Sequence, residues 1–155
     1  RGPLRMIVAV AVLGRENNPL YLRTFGVPSG DPSSILRFHF IIHAALDHVE
    51  EKMLTQRQSA VSSGTISAKL DMYLGFLYPI EEYRVYGYVT NSRVKLITVL
   101  DDEGVRDSEM RALFRRLHTL YVDTISNPFY KLDSELNGYS SFERQVGRVV
   151  EAGLY

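Results

Sequence analysis

Between Met72 and Leu100 (MYLGFLYPIEEYRVYGYVTNSRVKLITVL) the chain alternates and turns in a way that restricts its fold more than any other stretch. In Tyr83 to Thr90 the small and apolar residues Val85, Gly87 and Val89 alternate with Arg84, Tyr86 and Tyr88, the period of two of a half-buried strand. Val94, Leu96, Thr98 and Leu100 repeat the pattern against Arg93 and Lys95. Between these runs Asn91-Ser92 predicts a two-residue hairpin, with Asn tolerating its left-handed backbone. Met72 to Tyr78 forms the preceding strand, ended by Pro79, which withholds a ladder donor, so that Pro79-Ile80-Glu81-Glu82 makes the earlier turn. The expectation is a three-strand antiparallel meander.

Met6 to Leu13 (MIVAVAVL) is continuously apolar and largely β-branched, the mark of a central strand covered on both sides. Gly14 to Pro19 reads as a polar turn, and Leu20 to Phe25 as a second strand antiparallel to the first. Gly26 to Ser34 is loop, with Ser33 or Ser34 capping the helix that follows. Phe38, Ile42, Ala45, Leu46, Val49 and Met53 make one stripe of that helix, opposite Arg37, Asp47, Glu50 and Glu51. Thr55 to Asp71 lacks periodicity and reads as a mobile, Ser-rich connection. After an acidic turn at Asp101 to Val105, Asp107 is the expected N-cap of a second helix carrying Met110, Leu113, Phe114, Leu117, Tyr121 and Ile125. Asn127-Pro128 stops it. Lys131 to Ser140 is loop, and Phe142, Val146, Val149 and Val150 suggest a short final helix. The order is β-β-α-β-β-β-α-α, an α+β class.

A chain of 155 residues suffices for one domain with a real core, here residues 6–155, with Arg1 to Arg5 read as leader residues ahead of Met6. Eighteen acidic side chains balance 18 basic ones, which argues against binding that neutralises nucleic-acid phosphates. With no cysteine, disulfides, thiolate zinc sites and cysteine nucleophiles are excluded. The longest apolar run, Met6 to Leu13, is far short of the ~20 residues of a membrane span, so an intracellular, soluble protein is expected.

Chemistry is thinly represented. His39, His43 and Asp47 lie at i, i+4 and i+8 on one helix face, a spacing that can share a metal, but the zincin glutamate is missing and a polar flank is the plainer reading. No nucleophile elbow, Walker loop or dinucleotide loop occurs. Arg106, Arg111, Arg115 and Arg116 form a basic strip on the second helix, suited to an acidic partner or simply solvated. Tyr83, Tyr86 and Tyr88 suit either a protein interface or a core under helices. Asn127-Pro128-Phe129-Tyr130 looks like an NPxY peptide, yet at a helix end with two aromatics it is expected to dock back onto the core.

His43-Ala44-Ala45-Leu46-Asp47, Tyr73 to Pro79 (YLGFLYP), Tyr86 to Asn91 (YGYVTN) and Asn127-Pro128-Phe129-Tyr130 together resemble the sedlin branch of TRAPP subunits, in register from Met6 to Val150. The resemblance implies a longin (SNARE-like) domain, a five-stranded, mainly antiparallel sheet in the order 2-1-5-4-3 with one helix on one face and two on the other. It implies a non-enzymatic adaptor without cofactor or metal, docking on other TRAPP subunits in the tethering complex of endoplasmic-reticulum-to-Golgi traffic. That complex promotes nucleotide exchange on Rab-family GTPases, with catalysis attributed to other subunits. Membrane contact would be peripheral, through the complex, and no nucleic acid is involved. The chain departs from the family in the long connections Gly26–Ser34 and Thr55–Asp71. His43, Asp47 and Glu50 are the expected partner interface, and Asn127, Pro128, Phe129 and Tyr130 a structural motif. Alternatives are the longin domain of a SNARE or coat adaptor, or a small metal-dependent enzyme using His39, His43 and Asp47.

Overall fold

The chain runs β1 (Ile7–Leu13), β2 (Pro19–Thr24), α1 (Pro32–Ser62), β3 (Tyr73–Ile80), β4 (Tyr83–Val89), β5 (Lys95–Leu100), α2 (Asp107–Ile125) and α3 (Ser140–Ala152). The computed structural model describes residues 7–25, 32–62, 71–101, 105–131, 135–136 and 139–152. The strands form one sheet in the order β2-β1-β5-β4-β3, with every neighbouring pair antiparallel. This is the α+β, longin-like arrangement that the sequence predicts. All seven residues of β1 are buried, as its unbroken apolar run requires of a strand with covers on both faces.

Two cores lie on the two faces of the sheet. On one, Phe38, Ile41, Ile42 and Val49 of α1 pack on Ala9, Ala11, Val85, Ile97 and Val99. On the other, Met110, Leu113, Phe114 and Leu117 of α2 join Phe142 and Val146 of α3 over Val10, Val12, Tyr86, Tyr88 and Leu96. Each large apolar side chain so buried contributes about 1.5–3 kcal/mol relative to exposure. The tyrosines Tyr86 and Tyr88 therefore belong to the core, while Tyr83 is half-buried against Phe38, ring centroids 5.7 Å apart.

Several local expectations change. β4 and β5 are not half-buried, because helices cover both faces; Lys95 is itself 4% exposed, its Nζ donating to the Arg15 carbonyl at 3.2 Å. β3 continues through Pro79, paired with Arg84, to Ile80, leaving Glu81-Glu82 as the turn. β3 is the sheet's edge, where a missing N–H breaks no ladder. The β4–β5 loop has three residues, not two: Arg93 N–H donates to Thr90 O at 3.0 Å, Thr90 N–H to Val94 O at 2.9 Å, and Arg93, not Asn91, takes the left-handed backbone (φ 71°).

α1 begins at Pro32, so Ser33 and Ser34 lie inside its first turn, and it runs on to Ser62 where a connection was expected. Apolar periodicity reports burial rather than helicity, and Leu54, Thr55, Arg57, Gln58 and Ser59 are exposed. Asp107 is the first helical residue of α2, behind an extended Arg106 with no side-chain cap. The expected leader at Arg1 to Arg5, and the parts of the expected loops at residues 26–31, 63–70 and 102–104, lie outside the described residues.

Candidate partner-docking surface

A helix that lies on a sheet buries one stripe and offers the opposite one. The buried stripe of α1 is Phe38, Ile41, Ile42, Ala45, Leu46 and Val49. Its opposite ridge carries Leu36, Phe40, His43, Asp47, Glu50 and Leu54, all exposed. The three expected interface residues thus share one outward ridge with three large apolar side chains, Leu36 at 71%, Phe40 at 67% and Leu54 at 53% exposure. These apolar residues went unremarked in the sequence, although their position across the helical wheel from Phe38 and Ala45 is a readable signal.

Along the ridge the spacing is i, i+4, i+7, i+11, i+14, i+18, the four-three alternation by which helices pack along a seam. Its ends are apolar and its centre acidic. Side contacts hold α1 in place: Arg37 pairs with Glu81 and lies over the Tyr83 ring, and Tyr78 donates from its hydroxyl to Ile41 O at 2.8 Å. His48 stacks on Tyr78 with centroids 4.4 Å apart and planes 5° from parallel.

His39 is half-buried and, with His43, borders a small cleft against β1 and β2. Among the described residues no three His, Asp or Glu side chains are arranged to hold a metal ion, so His39, His43 and Asp47 do not converge as a donor set. The basic strip on α2 is also less free than the sequence suggests. Arg111 grips Asp71 with two hydrogen bonds of 3.2 and 2.7 Å, and Arg106 pairs with Glu109 at 2.9 Å. The Arg111 guanidinium holds the Asp71 carboxyl below the usual carboxylate range.

Past α2, the Asn127 side-chain oxygen accepts the Phe129 N–H at 2.9 Å, and its carbonyl the Tyr130 N–H at 3.0 Å. Tyr130 packs beside Tyr139, centroids 5.4 Å apart, but Phe129 is 87% exposed; the expected return to the core applies to Tyr130 and not to Phe129. No described helix is long and apolar enough to cross a membrane.

The sedlin family profile matches residues 12–152. Over 148 residues, covering 95% of this chain and 98% of the relative, the sequence is 39% identical to a trafficking protein particle complex subunit 2-like protein of Dictyostelium discoideum. The Mus musculus protein of the same name is 45% identical over 127 residues, 81% of this chain and 84% of its own. Trafficking protein particle complex subunit 20 of Saccharomyces cerevisiae is 25% identical over 161 residues, 88% of this chain and 91% of its own.

Proposed function

Because this chain belongs to the sedlin family, we propose that it is an adaptor subunit of a trafficking protein particle (TRAPP) complex, working by contact rather than by chemistry. Its similarity to proteins named as subunits of that complex supports a role in vesicle traffic. The observation that carries the adaptor reading is the exposed ridge of α1, where Leu36, Phe40 and Leu54 flank His43, Asp47 and Glu50 at helix-packing spacing. Another TRAPP subunit docks there, its apolar side chains meeting the two ends and a basic group meeting Asp47 and Glu50. The acidic centre fixes register, as a polar position does in a helical seam. Through these contacts the chain helps assemble the complex that promotes nucleotide exchange on Rab-family GTPases at endoplasmic-reticulum and Golgi membranes, and its membrane association is peripheral, through that complex.

Capture of the tagged chain from cell extract, with mass-spectrometric identification of what co-purifies, tests this. Other TRAPP subunits are expected with the unaltered chain and are expected to be depleted with Asp47→Tyr, which changes charge and bulk at an exposed position. Recovery of no TRAPP subunit sinks the adaptor reading. If Asp47→Tyr abolishes the circular-dichroism melt, Asp47 is structural and the ridge assignment fails.

A further inference from the structure

A second recognition feature sits past the ridge, where the C-terminal part of α1 overhangs the start of β3 and the β4–β5 loop. A cavity of about 180 Å³ opens there, floored by Met53, Leu74 and Val89, with Arg57 and Arg93 at its rim. Leu74 and Val89 are buried to within 8% and 7% exposure, so the floor is apolar and part of the core. Asp71 also borders the cavity, but its carboxylate is gripped by Arg111 through both oxygens. Arg57 and Arg93 are exposed, and their side chains make no hydrogen bond or ion pair among the described residues. The cavity is therefore lined by an apolar floor and by two arginines whose side chains have no partner among the described residues.

Arg93 is held there by its backbone. It occupies the left-handed position of the three-residue loop, fixed by its own N–H to Thr90 O (3.0 Å), by Thr90 N–H to Val94 O (2.9 Å) and by Val94 N–H to Thr90 Oγ1 (3.1 Å). A non-glycine residue in that conformation is uncommon, and here it sets where the Arg93 side chain leaves the hairpin beside the cavity.

Size and charge select the occupant. At about 180 Å³ the cavity is smaller than the ~300–1,000 Å³ of sites for drug-sized ligands, so it fits one aliphatic side chain rather than a nucleotide or a lipid tail. A bare phosphate leaves the floor unused. A planar carboxylate beside an aliphatic side chain uses both parts, since guanidinium forks match carboxylates. We infer that this cavity binds the free C-terminus of a partner polypeptide that ends in a large aliphatic residue, the side chain entering over Leu74 and Val89 and the α-carboxylate lying between Arg57 and Arg93.

The test is a nitrogen-15 NMR titration of the whole chain with acetyl-Gly-Gly-Leu as the free acid. The expected result is saturable shifts of the Met53, Leu74 and Val89 to Arg93 amides. Affinity should fall roughly tenfold for the C-terminal amide, for acetyl-Gly-Gly-Gly and for Arg93→Gln, the loss expected when a charge-assisted bond or the apolar anchor is removed. Equal binding of acid and amide, shifts produced by inorganic phosphate as strongly as by the tripeptide, or no shift at these residues would each overturn the inference. The readout does not involve the α1 ridge, so its failure leaves the adaptor proposal standing, and the converse also holds.

Discussion

The hydroxyl of Tyr73 donates a 2.7 Å hydrogen bond to Asp107 Oδ1, joining the first residue of the edge strand to the first residue of α2. The Arg111 guanidinium, one turn along the helix, lies 4.6 Å from the Tyr73 ring centroid and reaches on to Asp71. Burial and the Asp107 carboxylate both push the Tyr73 phenol above its ordinary value, so it remains a donor at physiological pH. Tyr73→Phe should cost about 1–2 kcal/mol in urea unfolding, because it leaves the ring packing intact and removes one bond to a charged group.

Gly75 carries φ 79° at an irregularity of the β3–β4 ladder. A Cβ there would meet the Tyr73 ring at an ordinary 3.5 Å, so space is available and only the backbone objects. Gly75→Ala should destabilise by about 1–2 kcal/mol, and Gly75→Asn by less, since Asn tolerates left-handed geometry. Chemical denaturation of the two variants side by side distinguishes backbone strain from a clash, which would penalise the larger residue more.

His118 is half-buried with Nδ1 3.1 Å from the Tyr88 hydroxyl, and burial pushes its imidazole below the ordinary 6.5. The unfolded chain then binds a proton more readily than the folded one. Stability from this group is complete above about pH 6.5 and falls as the pH drops from there towards the folded value. Urea midpoints measured across that window should slope downward with acid, and His118→Gln should flatten the slope. An unchanged slope in the variant rules out His118 as its source.

Phe40 and Phe114 are both large and apolar, but Phe40 is 67% exposed and Phe114 fully buried. Phe40→Asp should change the unfolding free energy by no more than about 0.5 kcal/mol. Phe114→Ala, which hollows the core between α2 and Tyr88, should cost about 3–5 kcal/mol. In subunit capture, Phe40→Asp should reduce recovery of TRAPP subunits despite its intact melt.

Burial of β1 on both faces, the antiparallel meander and the helical stripes were legible because each is a local pattern of residue types along the backbone. Met6 to Leu13 announced a central strand, and Met110 to Tyr121 announced the face that α2 buries. The expected interface residues His43, Asp47 and Glu50, all exposed, could be placed on one helix side for the same reason. Their apolar neighbours Leu36 and Phe40 were missed because exposure depends on what else covers a helix, and periodicity alone does not say which of two apolar sides meets the sheet.

The remaining corrections have that origin too. The helix α1 runs to Ser62 although none of Thr55 to Ser59 is buried, Pro79 lies within a strand because that strand has a free edge, and Asp107 binds Tyr73 instead of capping its own helix. The amino-acid order by itself determined the strands, the helices and the α+β class, through propensities and spacings that act within a few residues. Only the tertiary structure decided which side chains meet across tens of residues, as in the Tyr73–Asp107 bond and the Arg57–Arg93 rim, because those contacts depend on how the two helical layers are seated on the sheet.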